Sequence, residues 1–368
     1  MKQTPSLVKK DYFLLRQKKL KQSIREAGLH SILITNLHNI FYLTGFSGST
    51  ALALFSATRG YLIVDFRYMT QAKKESYGVE IITTTNQLET FSKLATKRRG
   101  KLVGFESSSI SHFRSLEFRN AVPSGTLKPT VGVVEKIRII KDQLEIDTIK
   151  SMIKVIAASW SQIKSFITVG AKEREVSAKI EYLLAIEGMD KEAFEYIVAS
   201  GKRSALPHGV ASAKKIRNNE LVTIDWGSIK NRLHTDMTRT VAVGQVSNRL
   251  RKVYDVVLRA NQTAIDAIRL GMTGAEIDEI GRSVIREAGY EKEFGHGLGH
   301  GIGIDIHEMP SISPTSKSKV KAGMVFTIEP GIYIPNVGGV RIEDMVLVKE
   351  DKVEILTSAI SKEYTVVG

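Results

Sequence analysis

Between Ser31 and about Val122, short apolar runs (SILIT, ALALF, YLIV, VEIIT and KLVGF) alternate with polar stretches compatible with helix. That rhythm predicts a small α/β layer in which helices pack on a sheet. Pro123, Gly125, Pro129 and Gly132 then punctuate the segment 122–132 as a connection would. Beyond it, Asp142 and Glu145 have the spacing of a capping box, and Ile146, Ile149, Ile153 and Ile156 follow at helical intervals. The reading is an N-terminal α/β domain over 1–130, a linker over 131–141 and a second domain over 142–368.

The second domain repeats itself. Gly170, Glu175, Val176, Leu184, Gly188, Lys191 and Glu192 are matched 101 positions later by Gly271, Glu276, Ile277, Ile285, Gly289, Lys292 and Glu293. In each copy a glycine opens an amphipathic helix and another ends it, as a C-terminal cap would. Further on, His208 falls 99 positions before His307, and Thr223-Ile224-Asp225 falls 104 before Thr327-Ile328-Glu329. Each half therefore reads as a helix, a histidine-bearing strand and two acid-bearing strands. Halves related by a pseudo-twofold would bring their acids face to face.

Composition narrows the classes. A chain of 368 residues that is 42% hydrophobic and 25% charged is ordinary globular protein. There is no cysteine, which excludes disulfides, thiolate zinc sites and a thiol nucleophile. No apolar stretch is long enough for a membrane span and the start lacks a signal-like apolar segment, so a soluble, cytoplasmic protein is expected. Half of the +14 net charge lies in residues 1–25, where Lys2, Lys9, Lys10, Arg16, Lys18, Lys19, Lys21 and Arg25 face one acid, Asp11. No aromatic interleaving, helix-turn-helix or zinc-finger spacing accompanies these charges, so they read as the solvated face of a helix and not as a nucleic-acid site. Leu14, Leu15, Ile24 and Leu29 are the expected docking positions of that helix.

The candidate chemistry lies in the repeat. Buried carboxylates need partners, and Asp225 in LVTIDWG and Glu329 in MVFTIEPG both end apolar stretches. Asp225 and Asp236 are 11 apart with a polar turn between them, which is hairpin spacing within reach of one ion. His300 follows His296 by four, and Glu343 sits in GGVRIED. Four carboxylates and one imidazole form a hard, oxygen-rich set that favours Mn²⁺, with Co²⁺, Fe²⁺ or Zn²⁺ compatible. So much negative charge calls for about two divalent ions, which can hold a bridging hydroxide and polarise a carbonyl for hydrolysis. His208, His296 and His307 lie beside these acids in sequence and are marked as functional by that position. No G-x-G-x-x-G, P-loop, G-x-S-x-G or H-E-x-x-H motif is present.

The blocks ALPHG, LVTIDWG, TDMTRT, GHGLGHGIGIDIHE, VFTIEPGIYI and GGVRIEDMVLV, in that order, closely resemble the prolidase and aminopeptidase P metallopeptidases. The resemblance is dense from Asp142 onward and looser in LTGFSGST and VDFRYMTQA. It implies a creatinase-like α/β N-terminal domain and an α+β "pita-bread" catalytic domain with an internal pseudo-twofold repeat. It further implies hydrolysis of the Xaa–Pro bond of a dipeptide or longer peptide with proline second, and a homodimer. Asp225, Asp236 and Glu343 would hold one metal, and Asp236, Glu343, His300 and Glu329 the other, with Glu329 also moving the proton of the bridging water. His307 would bind the scissile carbonyl, His208 the substrate near the scissile bond and His296 the proline side, while Arg341 would orient the carboxylates. Leu233 stands where many relatives carry tyrosine, which alters packing near the metal. Arg67 and the loop around His38 are candidates for a gate distinguishing dipeptidase from aminopeptidase, with a surface ion pair as the plainer role for Arg67. The other class compatible with the fold is a catalytically inactive module binding nucleic acid or protein. Such modules lose metal ligands, and all five ligand types are intact here.

Overall fold

The computed structural model describes residues 9–96 and 100–368, and the chain separates into two compact units, Met1–Arg138 and Ile139–Gly368. Lys2 lies outside the described residues. The stretch 131–141 contains the short helix Glu135–Arg138, which belongs to the first unit.

In the first unit the apolar runs form one six-stranded mixed sheet. Its order is Glu80–Thr83, Gly60–Val64, Leu52–Ser56, Ser31–Ile34, Val103–Glu106 and Leu127–Thr130. The last of these strands lies inside the Pro/Gly-marked segment 122–132 and pairs in parallel with Val103–Glu106. Those turn residues therefore flank an edge strand and do not form a bare connection. The basic helix Lys9–Glu26 buries Phe13, Arg16, Gln17, Leu20 and Ile24. Leu14 and Leu15, expected as docking positions, are instead exposed, because the 3.6-residue period places Phe13, Leu20 and Ile24 on the inner face. Lys9, Lys10, Lys18, Lys19 and Arg25 are exposed, while Arg16 is buried and donates to the Tyr42 carbonyl at 3.1 Å.

The second unit shows its repeat directly. Helices Glu173–Ile186 and Gly274–Glu287 have 14 residues each. The carboxylate of Glu175 accepts the Lys172 backbone N–H at 2.9 Å, and that of Glu276 accepts the Thr273 N–H at 2.6 Å. The strands Glu220–Trp226 and Met237–Val243 pair antiparallel in one half, as Val325–Ile328 and Asp344–Val348 do in the other. Between Asp225 and Asp236, Ser228–Lys230 and Leu233–His234 pair across Asn231 and Arg232, both at positive φ. This tight turn carries the second carboxylate back toward the first. The halves join where the Glu343 N–H donates to the Thr238 carbonyl at 3.1 Å and Thr240 Oγ1 donates to the Arg341 carbonyl at 2.9 Å. Helices Asn248–Ala267 and Gly274–Glu287 supply apolar side chains, among them Val253, Val257, Ile277 and Ile285, to a core shared with Phe326, Ile328, Ile342 and Val346.

Both expected histidine-bearing strands, those of His208 and His307, differ from the pattern. His208 lies in an exposed turn after the 3₁₀ helix Gly201–Ala205, because Pro207 before it cannot donate to a ladder. His307 ends an irregular segment immediately before the strand Glu308–Ile312. Of the candidate site histidines, His300 lies within a strand, Gly299–Gly301.

Candidate metal centre

Four carboxylates stand at the ends of apolar strands, and His300 joins them from the middle of the short strand Gly299–Gly301. Asp225 is the penultimate residue of Glu220–Trp226, and Asp236 immediately precedes Met237–Val243. Glu329 follows Val325–Ile328, and Glu343 immediately precedes Asp344–Val348. His300 projects from a strand whose glycines are needed for close packing, since a Cβ on Gly299 would lie 1.9 Å from the Thr327 carbonyl oxygen. Side chains must alternate across that strand, so packing glycines leave His300 as the one functional group it presents.

Ligand atoms of Asp236, His300 and Glu343 all lie within 4.8 Å of one another. His300 Nε2 is 3.6 Å from Asp236 Oδ2 and 3.4 Å from Glu329 Oε1. Its Nδ1 is 3.1 Å from the Gly301 carbonyl, so a proton on Nδ1 leaves the Nε2 lone pair facing the carboxylates. Thr238 Oγ1 donates to Glu343 Oε2 at 2.8 Å, and Thr327 Oγ1 donates to Glu329 Oε1 at 3.3 Å. Asp225 stands slightly apart, with its Oδ2 held by Arg341 Nη2 at 2.8 Å. Asp225 Oδ1, Asp236 Oδ1 and Glu343 Oε1 are buried and accept no hydrogen bond from the described residues.

The electrostatics follow from that crowding. Burial, reinforced by the neighbouring carboxylates, pushes Asp236 and Glu343 far above the ordinary carboxylate range. Burial raises Glu329 to about 8, with Arg341 pulling the other way. Burial lowers His300 to about 4, helped by His307, so its imidazole is neutral at physiological pH. Acceptor oxygens with no donor and a neutral imidazole whose lone pair faces them are what a hard divalent cation takes, so the residues fit a metal.

The three other expected histidines lie near one another in the second unit. The His307 ring lies edge-on to the His300 ring at 4.3 Å between centroids. His208 is close enough to depress the protonation of both His296 and His307, although burial is the larger cause at each. His296 Nδ1 lies 2.8 Å from the Gly297 carbonyl and its Nε2 lies 2.9 Å from the Tyr333 hydroxyl. Arg67 is bound to Asp65 at 2.8 Å at the surface of the first unit.

Two residues were not singled out in the sequence. Tyr333 accepts from Arg341 Nη1 at 3.0 Å and so joins Arg341 to His296. Thr238 receives Arg341 Nε at 3.0 Å while donating to Glu343. Thr238 stands in TDMTRT and Tyr333 in IEPGIYI, so the signal was their position inside blocks already noted for their acids.

Comparison with known proteins gives a consistent picture. Residues 147–350 match metallopeptidase family M24, and residues 16–140 match the creatinase/prolidase N-terminal domain. The chain is 38% identical to the Xaa-Pro dipeptidase of Pyrococcus furiosus, covering 93% of this chain and 97% of that one. A structure of the Xaa-Pro dipeptidase from Bacillus anthracis superposes with a TM-score of 0.93 at 38% identity, over 96% of this chain and 100% of that one. The X-Pro aminopeptidase from Thermotoga maritima superposes at 0.86 with 35% identity, over 94% and 100%.

Proposed function

The chain belongs to metallopeptidase family M24, with a creatinase-type N-terminal domain before a pita-bread catalytic domain, and on that premise we propose that it hydrolyses the Xaa–Pro bond at the N-terminus of its substrate. The observation that carries the reading is the set of three buried, unpartnered carboxylate oxygens on Asp225, Asp236 and Glu343 beside the neutral His300. The proline preference is supported by the relatives, both dipeptidases and an aminopeptidase.

Asp225, Asp236 and Glu343 would hold one divalent ion, and Asp236, Glu343, His300 and Glu329 a second, with Mn²⁺ the ion best matched to this donor set. When bound, such ions neutralise the clustered carboxylates, polarise the scissile carbonyl and make water acidic enough to attack at neutral pH. Glu329 accepts a proton from the attacking water and returns it to the proline nitrogen, which leaves as a secondary amine. His307 donates a hydrogen bond to the carbonyl oxygen as negative charge develops there. His208, exposed on the opposite turn, contacts the substrate near the scissile bond. His296, kept neutral and held by Tyr333, lines the proline side. The homodimer is carried over from the family resemblance and the cytoplasmic location from the reading of the sequence; no helix among the described residues is long and apolar enough to cross a membrane.

The test is proline release from Ala-Pro, and alanine release from an Ala-Pro-Ala-Ala peptide, after chelation and again with Mn²⁺ restored. Metal-dependent cleavage of the dipeptide alone identifies a dipeptidase, and cleavage of the longer peptide an aminopeptidase. No cleavage of either with any divalent ion overturns the proposal.

A further inference from the structure

Glu173 is the first residue of the helix Glu173–Ile186 and is fully buried. Its Oε1 accepts the Ser200 N–H and Oγ–H, both at 2.8 Å. Its Oε2 accepts the Ser212 N–H at 3.2 Å, the Ser212 hydroxyl at 2.7 Å and the guanidinium of Arg203. Arg203 in turn donates to the Val210 carbonyl at 2.8 Å. One carboxylate thus grips both ends of the segment Ser200–Ser212, and His208 is exposed between them. Toward the middle, Ser204 Oγ accepts the Gly339 N–H at 2.8 Å and Arg341 Nη1 donates to the Pro207 carbonyl at 3.1 Å.

The internal repeat indicates what the fold alone requires at this position. The residue 101 positions after Glu173 is Gly274, the first residue of the matching helix. A Cβ there would lie 2.2 Å from the Ser311 carbonyl oxygen and 2.6 Å from Ser316 Oγ. The second half therefore packs backbone against loop at this point, whereas the first half buries a carboxyl group and surrounds it with donors. Burying a carboxylate is costly unless its oxygens are satisfied, and packing a helix start does not call for one. The difference between the copies tracks the loop that carries His208.

We propose that Glu173 is a positioning residue that fixes the Ser200–Ser212 loop so that His208 meets the substrate. This rests on the reading of His208 as a substrate contact. Glutamine at 173 would keep the shape but present an amide N–H₂ toward groups that are themselves donors, so one end of the loop would be released.

The experiment is a double-mutant cycle in the Mn²⁺-loaded full-length chain, using Ala-Pro hydrolysis for Glu173→Gln, His208→Ala and both together. Hydrogen exchange over residues 201–211 and Mn²⁺ affinity are read alongside. Glu173→Gln should lower kcat/KM about tenfold alone and less than about twofold in the His208→Ala background, since residues acting through one another are not additive. Exchange over 201–211 should quicken about tenfold while residues 325–348 and Mn²⁺ affinity hold steady. Equal losses in both backgrounds, or faster exchange throughout the catalytic domain, would mean that Glu173 serves stability alone and would overturn the proposal. Ser212→Ala, which keeps the carboxylate and removes one donor, should give the same pattern at smaller size and covers failure of Glu173→Gln to fold. Should His208→Ala retain the full rate, the substrate-contact reading falls by itself, and the exchange data still decide whether Glu173 holds the loop.

Discussion

Arg341 and Asp225 form a buried ion pair, Nη2 to Oδ2 at 2.8 Å, with their side chains 4% and 12% exposed. The same guanidinium reaches the Thr238 hydroxyl, the Tyr333 hydroxyl and the Pro207 carbonyl. It therefore sets the direction of Asp225 and, through Thr238, of Glu343, leaving one oxygen of each carboxylate free for a cation. A planar fork of donors is needed to serve so many acceptors at once.

Arg341→Lys keeps the charge and loses the fork. We expect metal affinity or kcat to fall about 10- to 100-fold, the usual range for a group that orients metal ligands. Metal titration followed by steady-state kinetics would check this, and a wild-type profile in both would refute the orienting role.

Glu329→Gln removes the group assigned to carry the proton, and kcat should drop about 10²–10⁴-fold. Asp236→Ala should abolish hydrolysis together with metal retention. Elemental analysis beside the kinetics separates the two, since a Glu329→Gln chain with no metal would move Glu329 from proton transfer to binding alone.

Tyr333→Phe deletes the hydroxyl between Arg341 and His296. The loss strands a buried imidazole nitrogen and a guanidinium N–H, at a cost of about 1–3 kcal/mol in stability. KM should rise more than kcat falls if His296 lines the proline side as proposed. Thermal melts and the KM-against-kcat split test it.

Burial holds His296 down at about 4, against 6.5 for an ordinary histidine. The unfolded chain therefore takes up a proton between those values that the folded chain refuses. This contribution to stability is complete above about pH 6.5, declines as pH falls toward 4 and then levels off. His296→Asn should flatten that part of the melting-temperature profile, and an unchanged slope would show that another group causes it.

Much of this organisation was legible along the chain because it rests on local periods. The capping box at Asp142 and Glu145 is present, with Asp142 Oδ1 accepting the Glu145 N–H at 3.1 Å. The offset of 101 reappears as two helices of identical length. Acids at the ends of apolar strands could be read as burdens needing a cation, since a carboxylate rarely follows such a run without a partner. The basic helix was legible in charge but not in its docking face, where Phe13 and Leu20, not Leu14 and Leu15, turn inward. The 3.6-residue period groups Phe13, Leu20 and Ile24 on one face and leaves Leu14 and Leu15 off it.

The two-part organisation, the duplicated second domain and the residue types able to bind a hard metal are written along the chain, because helix period, capping and strand-end acids are local. Packing between strands fixes which oxygen of Asp225 and of Glu343 is taken and which is left open, since that depends on Arg341 and Thr238 arriving from other strands. Tertiary structure also decided the Tyr333 link to His296 and the grip of Glu173 on the His208 loop. Those contacts join residues up to 116 positions apart, as Asp225 and Arg341 are, and hydrogen-bond geometry at that separation is written only by the packing of the two halves.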